Sequence, residues 1–291
     1  MIPTGLSREL FGRRFQNPLL LAAGTAGFGR ELDGVLDLES LGGLVTKAVS
    51  LEPRPGNPPP RVAEFSGGML NSVGLANPGV EQVRSDYLPW LARHLVRAHV
   101  LVNVVGFTIE EYAEVVRRLD GSQVVAAFEL NLSCPNTSAG GIEFGADSGC
   151  VQRIVSTCRT CTSRPLVAKL SPVLPDIAGM AVAARDAGAD AVTVVNTIPG
   201  TLSFADGRQR LGHASGGISG PALLPVGVLA VTRIVDRIPD VPVIGVGGAR
   251  SAADVRQYLR AGASMVAIGT AALADPRLPQ RIVRELEREG V

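Results

Sequence analysis

Aromatic residues, cysteines and long apolar runs are all scarce in this 291-residue sequence. Aromatic residues make up 4% of it, and its four cysteines are too few for a disulfide framework, so we expect a reducing, cytoplasmic setting. No apolar run approaches the ~18 residues of a membrane span, and no basic region followed by an apolar core opens the chain as in a secretory signal. The net charge of +1 argues against a nucleic-acid- or membrane-binding surface.

Glycine and apolar residues are abundant instead. There are 34 glycines, and apolar residues make up 46% of the chain. This composition is typical of a well-buried α/β protein with many tight turns between strands and helices, and it argues against disorder.

Eight short apolar runs alternate with helical patterns along the chain. The runs are continuous, as expected for strands of a parallel sheet that is covered on both faces. The predicted strands are Pro18–Ala23, Gly43–Thr46, Val100–Val105, Ala127–Leu130, Pro165–Leu170, Ala191–Val195, Val241–Gly245 and Met265–Ile268. Eight strands indicate a (β/α)8 TIM barrel, an α/β fold, formed by residues 1–291 as one domain. A doubly wound sheet is disfavoured because no Gly-x-Gly-x-x-Gly follows the first strand.

Several helices carry start signals, and two segments between elements are unusually long. Thr108, with a glutamate three residues later, predicts a helix start, as do Asp176 and Ser251. The segments 51–79 and 197–220 are too long for ordinary barrel loops, and both follow strands at their C-terminal ends. Because barrels place their active sites on that face, we predict that these long loops are functional.

Polar residues follow several of the predicted strands. Cys134 lies between the carboxamides of Asn131 and Asn136, just after the fourth strand, where its thiol is suited to act as a base or nucleophile. Lys47 and Lys169 end the second and fifth strands, where a lysine in a dry setting needs an anionic partner. The alternative for either lysine alone is a surface side chain whose stem is buried. Because the same barrel face is lined repeatedly, we favour a shared site.

Glycine-rich turns follow the last two predicted strands. Gly247 and Gly248 come after the seventh strand, and Gly269 and Thr270 come after the eighth. In barrels, these two loops often form a phosphate site, since bare glycines let backbone N–H groups approach phosphate oxygens. The pattern predicts a phosphate-bearing cofactor.

The other cysteines and the histidines give weaker signals. Cys158 and Cys161 form a C-x-x-C, but no second pair follows and the three histidines show no ligand spacing. We therefore expect neither a metal site nor a redox role here. His213 is expected on the surface.

At this point the sequence resembles class 1 dihydroorotate dehydrogenases, and most closely the class 1B catalytic subunit. The resemblance extends over nearly the whole chain through the motifs Asn17–Pro18, Ala22–Thr25, Thr46–Lys47, Arg54–Pro58, Gly68–Leu75, Asn77–Gly79, Asn131–Asn136, Lys169–Pro172, Asn196–Thr197, Gly216–Ala222, Gly247–Gly248 and Gly269–Thr270. It implies a barrel that contains FMN and oxidises (S)-dihydroorotate to orotate in pyrimidine synthesis.

The resemblance also implies roles for individual residues. Cys134 would remove the C5 proton of dihydroorotate while FMN N5 accepts a hydride from C6; class 2 enzymes carry serine there. Substrate would be bound by Lys47, Asn71, Gly74, Leu75, Asn131, Asn136, Asn196 and Thr197. Cofactor would be bound by Ala23, Gly24, Lys47, Asn103, Asn131, Lys169, Val195, Gly220, Gly247, Gly248, Gly269 and Thr270, with Lys169 near flavin N1 and O2.

Class 1B enzymes pass electrons through a partner subunit with FAD and a [2Fe–2S] cluster to NAD. The resemblance thus implies a homodimer that joins this partner as a heterotetramer. The cluster would lie in the partner, since the cysteines here offer no convincing iron–sulfur site. Three alternatives are a fumarate-linked class 1A enzyme, a dihydropyrimidine dehydrogenase-like module and a non-catalytic flavin-binding scaffold. Intact Cys134 and both lysines disfavour the scaffold.

Overall fold

A computed structural model of the chain describes residues 5–132, 135–136, 142–143 and 147–289, with backbone alone at 135–136 and 142–143. The strands in these ranges are β1 (Arg8–Leu10), β2 (Arg13–Phe15), β3 (Leu19–Leu21), β4 (Gly43–Val45), β5 (Val62–Phe65), β6 (Gly68–Asn71), β7 (His99–Val104), β8 (Val125–Asn131), β9 (Pro135–Asn136), β10 (Ile142–Glu143), β11 (Leu166–Leu170), β12 (Ala191–Val194), β13 (Ile198–Gly200), β14 (Gly216–Ser219), β15 (Val243–Val246) and β16 (Met265–Ile268).

Eight of these strands close into a parallel barrel. Their order around it is β3, β4, β7, β8, β11, β12, β15 and β16, and β16 pairs with β3 to complete the circle. Each of the eight overlaps a predicted apolar run, with bounds that differ by at most two residues. The predicted (β/α)8 barrel is therefore confirmed, because continuous apolar strands need a covering on both faces and the closed barrel provides it.

Helices surround the barrel. They are α1 (Val80–Gln82), α2 (Leu88–His94), α3 (Ile109–Leu119), α4 (Ser148–Arg159), α5 (Ile177–Asp186), α6 (Leu224–Arg237), α7 (Ala252–Arg260), α8 (Thr270–Ala274) and α9 (Leu278–Glu289). The predicted caps of α3, α5 and α7 are present: the side chains of Thr108, Asp176 and Ser251 each accept a hydrogen bond from a backbone N–H of the first turn. None of the described helices is both long and apolar enough to cross a lipid bilayer.

The barrel interior is apolar at its N-terminal end. Leu20, Leu101, Val167 and Ile244 belong to one buried cluster there, together with Phe15 from the β1–β2 hairpin. The Phe15 ring lies 4.4 Å from the ring of the first residue of β7, so the hairpin covers this end. The polar site lies at the opposite end of the barrel, where the strands have their C-terminal ends.

The two long segments predicted as loops contain strands of their own. Strands β5, β6, β14 and β13 form a four-stranded antiparallel sheet beside the barrel mouth, which we call the mouth sheet. In its central pair, Asn71 lies opposite Gly217, and Leu70 lies opposite Ile218. The sheet joins segments almost 150 residues apart, and pairing at that distance leaves no local pattern to predict it.

Candidate active site

A polar layer lies inside the barrel above the apolar cluster. Asn103, Glu129, Lys169 and Thr193 each stand two residues after an apolar interior residue of the same strand. Because alternate residues of a strand face the same side, all four side chains point into the barrel. All four are buried. The change from apolar to polar marks where the barrel core ends and the site begins.

A cavity of about 1120 Å³ opens at this end, between the strand ends and the mouth sheet. Small-molecule sites are commonly about 300–1000 Å³, so the cavity can hold more than one ligand. The predicted site residues that line it are Ala23, Gly24, Lys47, Asn71, Gly74, Leu75, Asn103, Asn131, Lys169, Val195, Asn196, Thr197, Gly220, Gly247, Gly248, Gly269 and Thr270. Cys134 lies outside the described residues, and of Asn136 only the backbone in β9 is described.

The two lysines of the chain both line this cavity; the other 26 of its 28 lysine and arginine residues are arginines. The ammonium Nζ of Lys169 lies 3.6 Å from a carboxylate oxygen of Glu129. Lys47 is half-buried, and no carboxylate of the described ranges comes within 4.0 Å of its ammonium group. Lys47 therefore offers its charge to a ligand, whereas Lys169 is part of an internal ion pair.

Carboxamides at the strand ends are held by specific hydrogen bonds. Nδ2 of Asn196 donates to Oδ1 of Asn131 over 3.3 Å, and the backbone N–H of Thr197 donates to Oδ1 of Asn196 over 2.8 Å. Nδ2 of Asn71 donates to the Gly217 carbonyl in the mouth sheet. Four predicted substrate ligands, three carboxamides and Thr197, are thus brought together from distant parts of the chain.

Gly74 and Leu75 form a tight turn at the edge of the cavity. Both have positive φ, +70° and +57°. A Cβ on Gly74 would lie 2.5 Å from the backbone nitrogen of Asn57, so the turn requires glycine there. The buried Asn77 supports the turn by donating from Nδ2 to the Leu75 carbonyl over 2.8 Å.

Asn77→Ala should destabilise the protein by about 2–3 kcal/mol, because it leaves buried N–H groups unpaired. Oδ1 of Asn77 accepts hydrogen bonds from the backbone N–H groups of Ser50 and Gly79. Thermal unfolding followed by circular dichroism should show a melting temperature lower by about 5 °C. The exposed Gln123→Ala variant is the control. An unchanged melting temperature in Asn77→Ala would show that water satisfies these groups.

Glycine turns after β15 and β16 form another wall of the cavity. A Cβ on Gly248, whose φ is +72°, would lie 2.4 Å from the backbone nitrogen of Leu224. At Gly269 an added Cβ would make only an ordinary van der Waals contact, 3.6 Å from Cβ of Ala22, so this position is not sterically restricted to glycine. The hydroxyl of Thr270 donates to that of Ser219 over 2.8 Å. The bare backbone here suits the predicted phosphate site.

Cys158 and Cys161, the residues of the C-x-x-C motif, do not line this cavity. Burial raises the pKa of the Cys158 thiol to about 12, which makes it a packing residue. Across the described ranges, no three side chains of His, Cys, Asp or Glu are grouped to hold a metal ion. His213 is exposed, as predicted.

Three residues of the site were not singled out from the sequence. Glu129 is 1% exposed, and its carboxylate oxygens accept hydrogen bonds from Asn103 and Thr193. A charged residue within an apolar strand is the signal that could have revealed it. Arg54 and Phe107, unlike Glu129, line the cavity itself, with the guanidinium carbon of Arg54 4.1 Å from the ring centroid of Phe107.

The fold and the site define a barrel enzyme with a polar pocket at the C-terminal end of its strands. The family model described as "Dihydroorotate dehydrogenase" matches residues 5–289. The chain belongs to the dihydroorotate dehydrogenase family, and it is an oxidoreductase.

Relatives support this assignment. The chain is 46% identical over 281 residues to the "Dihydroorotate dehydrogenase B (NAD(+)), catalytic subunit" of Pelobacter propionicus, covering 96% of this chain and 91% of that one. A protein of the same name from Desulforudis audaxviator is 45% identical over 278 residues, covering 95% and 90%. A solved dihydroorotate dehydrogenase from Eimeria tenella, in complex with ferulenol, has a TM-score of 0.80 at 22% identity, covering 97% of this chain and 83% of that one. The last similarity concerns the fold alone.

Proposed function

We propose that this chain is the FMN-containing catalytic subunit of an NAD-linked enzyme that oxidises (S)-dihydroorotate to orotate in pyrimidine synthesis. One observation carries the proposal: the cavity combines a cation at Lys47, which has no carboxylate partner among the described residues, with carboxamides at Asn71, Asn131 and Asn196. Dihydroorotate has one carboxylate and a ring of amide and imide groups. A cation and paired amide donors and acceptors match these groups.

The described residues also fit FMN. Oδ1 of Asn103 is buried and has no hydrogen-bond partner within the described ranges, so this acceptor suits a ligand N–H. Lys169 contacts the same carboxylate as Asn103 and lines the same cavity, where a cation would favour a reduced, anionic flavin. Gly247, Gly248 and Gly269 would leave their backbone N–H groups to the phosphate.

The residues of the chain would then divide the work between binding and proton transfer. Lys47 would bind the substrate carboxylate, and the carboxamides, including Asn136, would orient the ring with Thr197 and the Gly74–Leu75 turn. Cys134, placed after β8 by the sequence, would remove the proton from C5, since a thiol of pKa about 8.5 has a useful thiolate fraction near neutral pH. Bound FMN would supply the acceptor for the hydride that leaves C6.

A partner subunit is part of the proposal. The relatives named above are catalytic subunits, which implies another subunit. We propose a homodimer that associates with an electron-transfer subunit carrying FAD and a [2Fe–2S] cluster. Copurification of the chain with a yellow-brown partner would support this arrangement.

The function is tested by the colour of the purified protein. We expect yellow FMN to copurify with the chain, and anaerobic dihydroorotate to bleach its absorbance while dihydrouracil does not. Dihydrouracil lacks the carboxylate that Lys47 would bind, so it is the matched control. If the chain did not bind FMN even after incubation with an excess, the proposed function would be wrong. Bleaching by dihydrouracil instead would favour a dihydropyrimidine dehydrogenase-like activity.

A further inference from the structure

Glu129 lies behind Asn103 and Lys169, which we call the cavity floor, and it does not itself line the cavity. It is 1% exposed, whereas its neighbours Asn103 and Lys169 do line the cavity. Its Oε1 accepts from Nδ2 of Asn103 over 2.7 Å, and its Oε2 accepts from the hydroxyl of Thr193 over 2.8 Å. The Lys169 ammonium lies 3.6 Å from Oε1. One buried carboxylate therefore contacts two residues that would face the cofactor.

These contacts determine what the floor offers to a ligand. An ionised carboxylate can only accept hydrogen bonds, so it selects the NH₂ end of the Asn103 amide. The opposite end, Oδ1, is the buried acceptor that has no partner within the described ranges. An uncharged amide in place of Glu129 could accept or donate, and either orientation of Asn103 would then be allowed. The same carboxylate offsets part of the charge of Lys169.

We propose that Glu129 is a positioning residue that orients the Asn103 amide and the Lys169 ammonium and lowers the reduction potential of the bound flavin. This inference rests on the proposed function, since it requires FMN in the cavity. The direction of the change in reduction potential follows from the charges around the flavin. Reduction gives the flavin a negative charge, and a nearby carboxylate opposes that charge while Lys169 favours it. Glu129 thus makes the reduced flavin a stronger reductant, so that it passes its electrons on more readily.

The test is the FMN midpoint potential of Glu129→Gln, which keeps the shape of the side chain and removes its charge. We expect the variant to favour reduced over oxidised FMN about tenfold more than the wild type does. For a two-electron couple, this tenfold change corresponds to a midpoint potential that is about 30 mV more positive. Oxidised FMN should bind several-fold more weakly, because the Asn103 acceptor is no longer oriented. An unchanged or more negative potential would overturn the proposal.

Thr193→Val is the matched control, because it removes the other hydrogen bond to Glu129 and leaves the charge in place. Its potential should stay close to that of the wild type. If the midpoint potential of Thr193→Val shifted as much as that of Glu129→Gln, altered packing rather than charge would cause both shifts, and the proposal would fail.

A second pair of variants covers the case in which Glu129→Gln alone does not fold. Adding Glu129→Gln to Lys169→Met removes both charges of the buried pair, which proteins often tolerate. At saturating FMN, the double variant should favour reduced flavin about tenfold more than Lys169→Met does; equal potentials would contradict the proposal. If the wild-type protein bound no FMN, the proposed function itself would be refuted. If the wild type bound FMN and Glu129→Gln had the same midpoint potential, only the role of Glu129 would be refuted.

Discussion

Replacing Cys134 with serine is expected to slow the reduction of bound FMN by dihydroorotate about 10²- to 10⁴-fold at pH 7, the usual contribution of a general base. A serine hydroxyl is far less acidic than a thiol, so it provides almost no anion near neutral pH. Rapid mixing under anaerobic conditions, followed at the flavin absorbance, measures this rate directly. Because the hydroxyl gains anionic character as the pH rises, the variant should recover part of its rate in alkaline solution.

Two further measurements separate a loss of chemistry from a loss of binding. FMN content and orotate affinity should be nearly unchanged in Cys134→Ser. Cys161→Ser is the control, because Cys161 is half-buried and does not line the cavity; it should reduce FMN at the wild-type rate. An undiminished rate in Cys134→Ser would remove this residue as the base.

Lys47→Met is expected to weaken orotate binding on the order of 10- to 100-fold. A hydrogen bond to a charged group contributes about 1.5–3 kcal/mol, and each 1.4 kcal/mol corresponds to a factor of ten in affinity. Lys47 has no carboxylate within 4.0 Å among the described residues, so its loss leaves no protein acid unpaired. Titration of the oxidised enzyme with orotate, followed by the flavin spectrum, gives the dissociation constant.

The effect of Lys47→Met should depend on the charge of the ligand. Uracil has the ring of orotate without its carboxylate, so its weaker binding should hardly change. Lys47→Arg retains the charge and should recover part of the orotate affinity. Equal losses for orotate and uracil in Lys47→Met would show that the lysine supports the ring pocket rather than the carboxylate.

The barrel could be predicted because its causes are local. Each strand is a continuous apolar run, and caps such as Thr108, Asp176 and Ser251 mark helix starts through bonds that span only three residues. The mouth sheet could not be predicted in the same way. Its strand β14 consists of half-buried residues that include two adjacent glycines, and its partner β6 lies far away in the chain. Such pairing depends on where the barrel brings the two segments together.

The same distinction applies to the site. The sequence by itself determined which side chains end the strands, because polar residues such as Lys47, Asn131 and Asn196 interrupt apolar runs, and parallel strands of a barrel end on one face. Only the tertiary structure decided how the two lysines differ. Glu129 and Lys169 lie on neighbouring strands, 40 residues apart in the chain, and barrel closure brings their charges together. Lys47 is left without such a partner among the described residues, so its charge is available to a ligand.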